Sequence, residues 1–406
     1  MKRISFCGLA VAVQTLASAA LAQGVSGNTF NPALSVILDG KYAHFSQDPA
    51  QYGVAGFLLS EEAGLPPQGL SLGESEVVAS ANVDDRFYGQ ITLALEASDA
   101  GTEIGVEEAF VQTTALPAGF ILKFGRFFSD IGYLNSKHAH SWDFVDQPLV
   151  YKAMLGGQFG DDGAQARWVA PAELLVEVGA EAFRGAQFPA AGATHGGVGV
   201  WSAFAHVGGD SGAASSWRAG VAYLHADAAG RESIIANGDV ATFTGGAKYW
   251  LADFVWKWAE RGNPKTRHLI VQGEYLRRRE TGEVVDVNVD YATTTFPPPF
   301  VAPEFSYRGE QSGFYLQSVY QFMPRWRLGV RFDRLSADNR GPSLGVITPL
   351  NEKHDPSRMT AMLDFANSEF SRLRLQWTQD KSQPRSDTQI IVQYLMSVGA
   401  HGAHQF

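Results

Sequence analysis

Sulfur chemistry is almost missing from this chain: 406 residues contain one cysteine, Cys7. Cys7 falls in a segment expected to be cleaved off. The remainder then has no disulfide framework, no thiolate metal site and no thiol nucleophile. Past that segment no run of ~18 consecutive apolar residues occurs, so no helix is expected to span a membrane. Basic charge is scarce too, with 32 Lys and Arg against 42 Asp and Glu and a net charge of −10. That balance argues against nucleic acid as a partner. The motifs G-x-S-x-G, H-E-x-x-H and the P-loop are absent. Ser141 and His140 adjoin in sequence, which is poor geometry for a nucleophile and its base. No enzymatic activity is expected, and amphipathic helices of ordinary length are missing.

What is present begins with an export signal. Lys2 and Arg3 precede a largely apolar run over residues 4–20, and Ala20-Leu21-Ala22 forms an A-x-A cleavage site before Gln23. Residues 1–22 are therefore expected to be a signal peptide and residues 23–406 the mature domain. Without Lys2 and Arg3 the net charge moves from −10 to about −12. An exported chain without a spanning helix is periplasmic, secreted or an outer-membrane barrel. The 43 glycines and 12% aromatic content lean toward β structure.

The hydrophobic pattern has a period of two. Leu34, Val36, Leu38, Gly40 and Tyr42 share one face, with Ser35, Asp39 and Lys41 on the other. The same alternation recurs at 88–97, 104–114, 173–184, 217–226, 268–279, 307–322, 326–335 and 372–379. Short turns are expected at 84–87, 116–119, 170–172, 207–215, 260–266, 323–325 and 367–370. They alternate with generally longer connections at 46–70, 98–103, 129–162, 185–193, 227–238, 281–305, 337–356 and 381–385. The segments between them number about sixteen. An even count with tight turns on one side and long loops on the other marks a transmembrane antiparallel β-barrel, turns to the periplasm and loops outside. Such a barrel abolishes sheet edges and satisfies every backbone polar group in lipid. Tyr249, Trp250, Phe254, Trp256, Trp258, Phe322, Trp326 and Trp377 are expected in its aromatic girdles.

Counting back by twos from Phe406 gives His404, Gly402, Ala400, Val398, Met396, Tyr394, Val392 and Ile390. A terminal Phe after an apolar alternating face resembles the assembly signal of outer-membrane proteins. It makes the barrel-assembly machinery and the outer-membrane lipid expected partners.

The connection 129–162 is too apolar for a solvated loop, since it carries Trp142, Phe144, Val145, Leu149, Val150, Tyr151, Met154 and Leu155. Loops of this length are usually packed or functional. It is the third long loop, expected to pack against the inner wall and form a pore constriction. The residues assigned to that constriction are Lys137, His138, His140, Asp143 and Asp146, with Arg126 and Arg167 on the flanking wall strands. Their role would be electrostatic selection. His138 and His140, two apart, could share a face and bind one Zn²⁺; no other cofactor is expected. For Glu107 and Glu108, strict alternation puts one inside and one outside, and a bulge or a strand end must resolve the conflict.

Several stretches carry a family resemblance: Lys123-Phe124-Gly125-Arg126-Phe127, Gly132-Tyr133, Asp143-Phe144 with Pro148-Leu149, and Asp161-Asp162-Gly163 with Arg167. Here the chain resembles the phosphate-selective porin O/P superfamily. It is more similar still to a branch of uncharacterised proteins often labelled zinc-regulated or TonB-dependent outer-membrane receptors. The resemblance implies a sixteen-stranded, water-filled channel in the outer membrane of a Gram-negative bacterium, with a homotrimer as its candidate assembly. Phosphate selectivity would need a ladder of lumen-facing Arg and Lys, and the sequence displays a basic cluster only at Arg277-Arg278-Arg279. A TonB-dependent receptor needs a plug before the barrel, yet the first strand begins near Ala33. The expected function is passive diffusion of small hydrophilic solutes or ions with a weak cation preference. The alternatives are a zinc-linked binding or uptake protein and a receptor-like barrel lacking a plug.

Overall fold

The computed structural model describes residues 32–98, 101–191, 196–235, 239–287, 305–345, 347 and 350–399. The expected signal peptide and Phe406 lie outside them. The strands run β1 (Ala33–Phe45), β2 (Gly69–Leu72), β3 (Ser75–Asn82), β4 (Phe87–Ser98), β5 (Gly101–Thr113), β6 (Phe120–Phe128), β7 (Gly160–Val169), β8 (Leu175–Phe183) and β9 (Val200–Asp210). They continue as β10 (Ser215–Ile234), β11 (Val240–Ala259), β12 (His268–Asp286), β13 (Ser306–Met323), β14 (Trp326–Arg340), β15 (Ser357–Ser368), β16 (Ser371–Lys381) and β17 (Asp387–Gly399).

Each strand from β3 onward pairs antiparallel with the next, and β17 pairs with β1 to close the sheet. β2 pairs with residues 40–43 of β1, and β3 with residues 33–37 of the same strand. The two are halves of one interrupted stave, so the barrel has sixteen staves, the expected number. The short reversals fall near their expected places, as at 83–86, 211–214 and 369–370. One expectation differs: β4 runs to Ser98 and β5 resumes at Gly101, so 98–103 is mostly strand rather than a longer loop.

Alternation sorts the side chains as lipid and lumen require. On β14, Leu328, Val330 and Phe332 face out while Arg331, Asp333 and Leu335 are buried inside. On β16, Leu373, Leu375 and Trp377 face out while Arg374, Gln376 and Thr378 are buried. Trp250 and Phe254 join the outer aromatic belt, but Tyr249 does not. It shares the inward parity of Leu251, Asp253 and Val255 and is fully buried. An aromatic pair adjacent in a strand must split between faces, and composition cannot say which member goes out.

The interior is packed. Residues 129–159 fold inward, and their helix α1 (Leu149–Leu155) is buried on every side. α1 lies against β12, β13 and β14. Pro148 precedes it with an extended conformation, and Gly156 ends it at φ 72°. That left-handed position favours glycine, and a Cβ there would also press the Phe188 ring at 3.0 Å. The connection after β1 also enters the lumen. Its Val54 and Phe57 join one apolar cluster with Ile131, Trp142, Met154 and the wall residues Phe183, Leu276 and Leu335.

Candidate functional site

The wall holds the inward loop by its backbone. Glu274 on β12 accepts from the N–H groups of Tyr133 (3.2 Å) and Leu134 (2.9 Å) and from the hydroxyls of Tyr151 (2.8 Å) and Tyr315 (2.7 Å). Asp333 accepts from Leu149 N–H at 2.8 Å, and Gln376 from Val145 N–H at 2.9 Å. Donors at the start of a buried helix need such acceptors. Lys152 ties the two inward connections together by donating to the carbonyls of Ala63 (3.3 Å) and Gly64 (2.9 Å). Burial pushes the Lys152 ammonium down to about 8, against the support of Asp146.

Beyond Pro148 in the N-terminal direction, the loop's charged residues meet two wall sectors of opposite sign. The acidic sector comes from β3 and β5. The β4–β5 register shifts between Thr92, opposite Glu108, and Leu93, opposite Val106. Glu107 is thus the extra residue of a β-bulge, and the bulge turns both Glu107 and Glu108 toward the lumen. This settles the parity conflict. His138 lies between them, Nδ1 3.0 Å from Glu107 and Nε2 2.9 Å from Glu108, with Glu76 at 3.4 Å. Burial opposes charge on His138, but the hydrogen bonds to Glu107 and Glu108 outweigh it and hold its pKa well above the usual value. His140 stacks on His138 at 5.6 Å between centroids and places Nδ1 2.6 Å from Glu76. Burial and the neighbouring His138 charge push His140 down to about 3, so its neutral ring donates to Glu76. One donor atom each from Glu76, Glu107 and His138 lies within 4.8 Å of the others, close enough to converge on one metal ion.

The basic sector comes from β14, β15 and β16, whose inward faces carry Arg327, Arg331, Arg358, Arg372 and Arg374. The sequence hid this arginine wall because its members are scattered by alternation over three strands, whereas the visible run at 277–279 is divided by it. Arg278 is buried inside, and Arg277 and Arg279 point out. Loop carboxylates cover the wall. Asp143 meets Arg327 at 2.9 Å, and Asp146 meets Arg331 at 2.8 Å and Arg358 at 2.7 Å. Burial would raise the Asp146 pKa, but Arg358 and then Arg331 hold it well below the usual carboxylate range. Asp364 pairs with Arg327 and Arg374 at 2.8 and 3.2 Å. Arg372 and Arg374 donate to the loop carbonyls of His140 (2.7 Å) and Trp142 (3.0 Å).

The structure thus brings His138, His140, Asp143 and Asp146 together along one rim of the loop. Lys137 stands beside them, its ammonium 4.2 Å over the Tyr133 ring. Burial and Arg218 lower its pKa to about 8. Arg167 faces the lumen in a separate sector with Asp130 (3.5 Å) and Glu177 (3.7 Å). Arg126 is a correction. It shares the outward parity of Phe120 and Phe124 and pairs with Asp162 at 2.8 Å. It therefore lies on the lipid side and cannot line a constriction. Sequence reasoning also missed Glu76, Glu107, Glu108 and the arginine wall as partners of the loop.

Sixteen antiparallel staves, an apolar outer belt and a polar, loop-filled interior define an outer-membrane β-barrel, placed in the outer membrane of a Gram-negative cell. No family model matches the chain. A protein of Aquifex aeolicus (strain VF5), described as an uncharacterized protein, is 31% identical over 359 residues, 84% of this chain and 70% of that one; the chain belongs to its family. Among solved structures, the trimer form of the Vibrio cholerae outer membrane protein OmpT has a TM-score of 0.52 at 10% identity, covering 91% of this chain and 99% of that one. The outer membrane channel DcaP of Acinetobacter baumannii has a TM-score of 0.54 at 11% identity, covering 90% and 97%. An anion-selective porin from Comamonas acidovorans has a TM-score of 0.53 at 10% identity, covering 91% and 99%.

Proposed function

We propose that this protein is a channel for passive diffusion of small hydrophilic solutes and ions, sized and filtered by charge where residues 129–162 meet the wall. The carrying observation is the pairing of one loop with two opposite sectors, His138 on Glu107 and Glu108, and Asp146 on Arg331 and Arg358. A barrel that only anchored external loops could fill its lumen with apolar side chains. Here Asp39, Gln272, Gln317, Arg374, Gln389 and Gln393 are buried on the inner face as well as the apolar cluster around the loop. The constriction residues are Lys137, His138, His140, Asp143 and Asp146, with Arg167 in its own sector. Nothing in this role calls for enzymatic chemistry or a resident cofactor. A homotrimer is the proposed assembly, and the barrel-assembly machinery the proposed route to the membrane. Planar-bilayer recording of the purified protein tests the function: steady ohmic steps support it, and no conductance at any voltage refutes it.

A second reading has its own support. Glu76, Glu107 and His138 present a nitrogen and carboxylate oxygens that fit Zn²⁺, and neutral His140 adjoins them. On this reading the barrel captures divalent metal at the loop, so the His138/His140 pair expands to a mixed set with Glu76 and Glu107. Bound Zn²⁺ would have to displace the His138 proton. Calorimetric titration with Zn²⁺ decides. Stoichiometric binding with proton release, lost in His138→Ala/His140→Ala, supports it; heats equal to those of the double variant remove it.

A further inference from the structure

The outer face of β11–β14 carries a cluster that the lumen-based function does not use. Its position is set by register. Ala252, Tyr275, Phe314 and Arg334 lie in one row across the four strands; Trp250, Arg277 and Ser312 lie in the next; Lys248, Arg279, Glu310 and Asp338 follow; then come Thr281, Arg308 and Arg340. All of these rows lie toward the long-loop end. Below the Trp250 row the outward side chains are apolar and exposed at Phe254, Tyr275, Phe314, Leu316, Val330 and Phe332, with Arg334 the exception in the row of Tyr275 and Phe314. On β12 the change from apolar to cationic occurs in one step, from Tyr275 to Arg277, at the aromatic belt formed by Trp201, Tyr223 and Trp250. Trp201 and Tyr223 lie 5.2 Å apart, and Tyr223 and Trp250 5.6 Å.

Three arginines converge there on one carboxylate. Glu310 receives Arg308 at 3.0 Å, Arg277 at 3.3 Å and Arg279 at 3.8 Å. Arg279 also lies 5.7 Å over the Trp250 ring, which fixes its height at the belt. Arg340 and Arg334 on β14 are matched one to one by Asp338 and Asp355. The Glu310 group is not matched pair for pair, because three guanidinium charges meet one carboxylate, Lys248 stands exposed beside Arg279 in register, and Glu283, exposed one row nearer the loops, makes no ion pair with the three arginines. Exposed ion pairs contribute little to stability, so this surplus is poorly explained as reinforcement of the sheet. It is also opposite in sign to the acidic chain as a whole.

We infer that Arg277, Arg279 and Arg308 form a binding site for the phosphorylated headgroup of a glycolipid in the outer leaflet. A phosphate monoester carries close to two negative charges and three acceptor oxygens. Guanidinium forks match those oxygens in pairs. Trp250 and Tyr223 mark headgroup depth, and Phe314, Leu316 and Phe332 offer the acyl chains an apolar wall directly beneath. Glu310 keeps the three arginines gathered while the site is empty.

The test is native mass spectrometry of the full-length barrel in detergent, titrated with a bisphosphorylated glycolipid, with the same lipid dephosphorylated, and with inorganic phosphate. The wild-type barrel should bind the phosphorylated lipid selectively. The variant Arg277→Gln/Arg279→Gln/Arg308→Gln should bind it about a hundredfold more weakly, and Glu310→Gln roughly fivefold more tightly. Unchanged bilayer conductance in the triple variant would confirm that the barrel is intact. Equal binding of the dephosphorylated lipid, or full competition by inorganic phosphate, would overturn the assignment. A triple variant that binds as the wild type, or that changes oligomeric state without lipid, would overturn it as well.

Discussion

His138 and Glu107 are held 3.0 Å apart by a one-residue irregularity in β5, and without that bulge Glu107 would be carried to the lipid side. The contact joins loop to wall and places an ion pair where a regular strand offers only one inward carboxylate.

Removing the acid partners should free this end of the loop. In Glu107→Gln/Glu108→Gln, His138 keeps hydrogen-bond acceptors but loses two of its three neighbouring carboxylates, with Glu76 alone left at 3.4 Å. Charge-assisted hydrogen bonds contribute about 1.5–3 kcal/mol each. The expected outcome is a lower urea midpoint and noisier, larger single-channel steps. Steps identical to wild type in size and noise would show that His138 does not anchor the loop.

Asp146 should matter more than Asp143, because Arg331 and Arg358, at most 1% exposed, both pair with it and otherwise share the single carboxylate of Asp333 at 3.3 and 3.6 Å. Asp146→Asn leaves two buried guanidiniums undercompensated, which costs about 3–5 kcal/mol when a buried pair is broken. Reversal potentials in a salt gradient should show weak cation preference in the wild type. In Asp143→Asn/Asp146→Asn the uncovered arginine wall should shift it toward anions. A strong anion preference already present in the wild type would contradict this account.

The same clamp sets an acid limit. Asp146 has a folded pKa below its unfolded value, so its contribution is complete above the unfolded value of ~3.9 and is lost only as pH falls through the lower folded one. Conductance should hold steady from pH 7 to 4 and change below that range. An Asp146-dependent change near pH 5–6 would reverse the assigned sign.

The helix inside the barrel should tolerate truncation poorly. Leu149 and Met154 are fully buried against walls that hydrogen bonding keeps from collapsing. Each change to Ala should cost about 2–5 kcal/mol, toward the upper end because the cavity persists. Equilibrium unfolding in urea measures it, and a loss under about 1 kcal/mol would mean that the loop is loosely seated.

Much of this was legible in the residue order, for a local reason. Strand alternation is a property of neighbours, so Leu34 to Tyr42 announced a lipid-facing side and the turn spacing announced the count. The apolar content of 129–162 announced an inward loop. The same criterion applied to Val54, Phe57 and Leu58 would have revealed the second. Arg126 was misplaced because its parity was not counted from Phe124, a step the sequence allowed.

Other features lay beyond any local pattern. Glu107 and Glu108 read identically with or without a bulge, because the register shift is decided by pairing with β4. The arginine wall is assembled from β14, β15 and β16, and closure of the barrel sets those strands opposite Asp143 and Asp146. By itself the sequence determined a barrel, its number of staves and a loop that must leave water, since period, turn chemistry and apolar content act over a few residues. Only the tertiary structure decided which charges meet, because ion pairs form between groups that the chain separates by more than a hundred residues and that only sheet register brings within 3 Å, as with Asp146 and Arg331 at 2.8 Å.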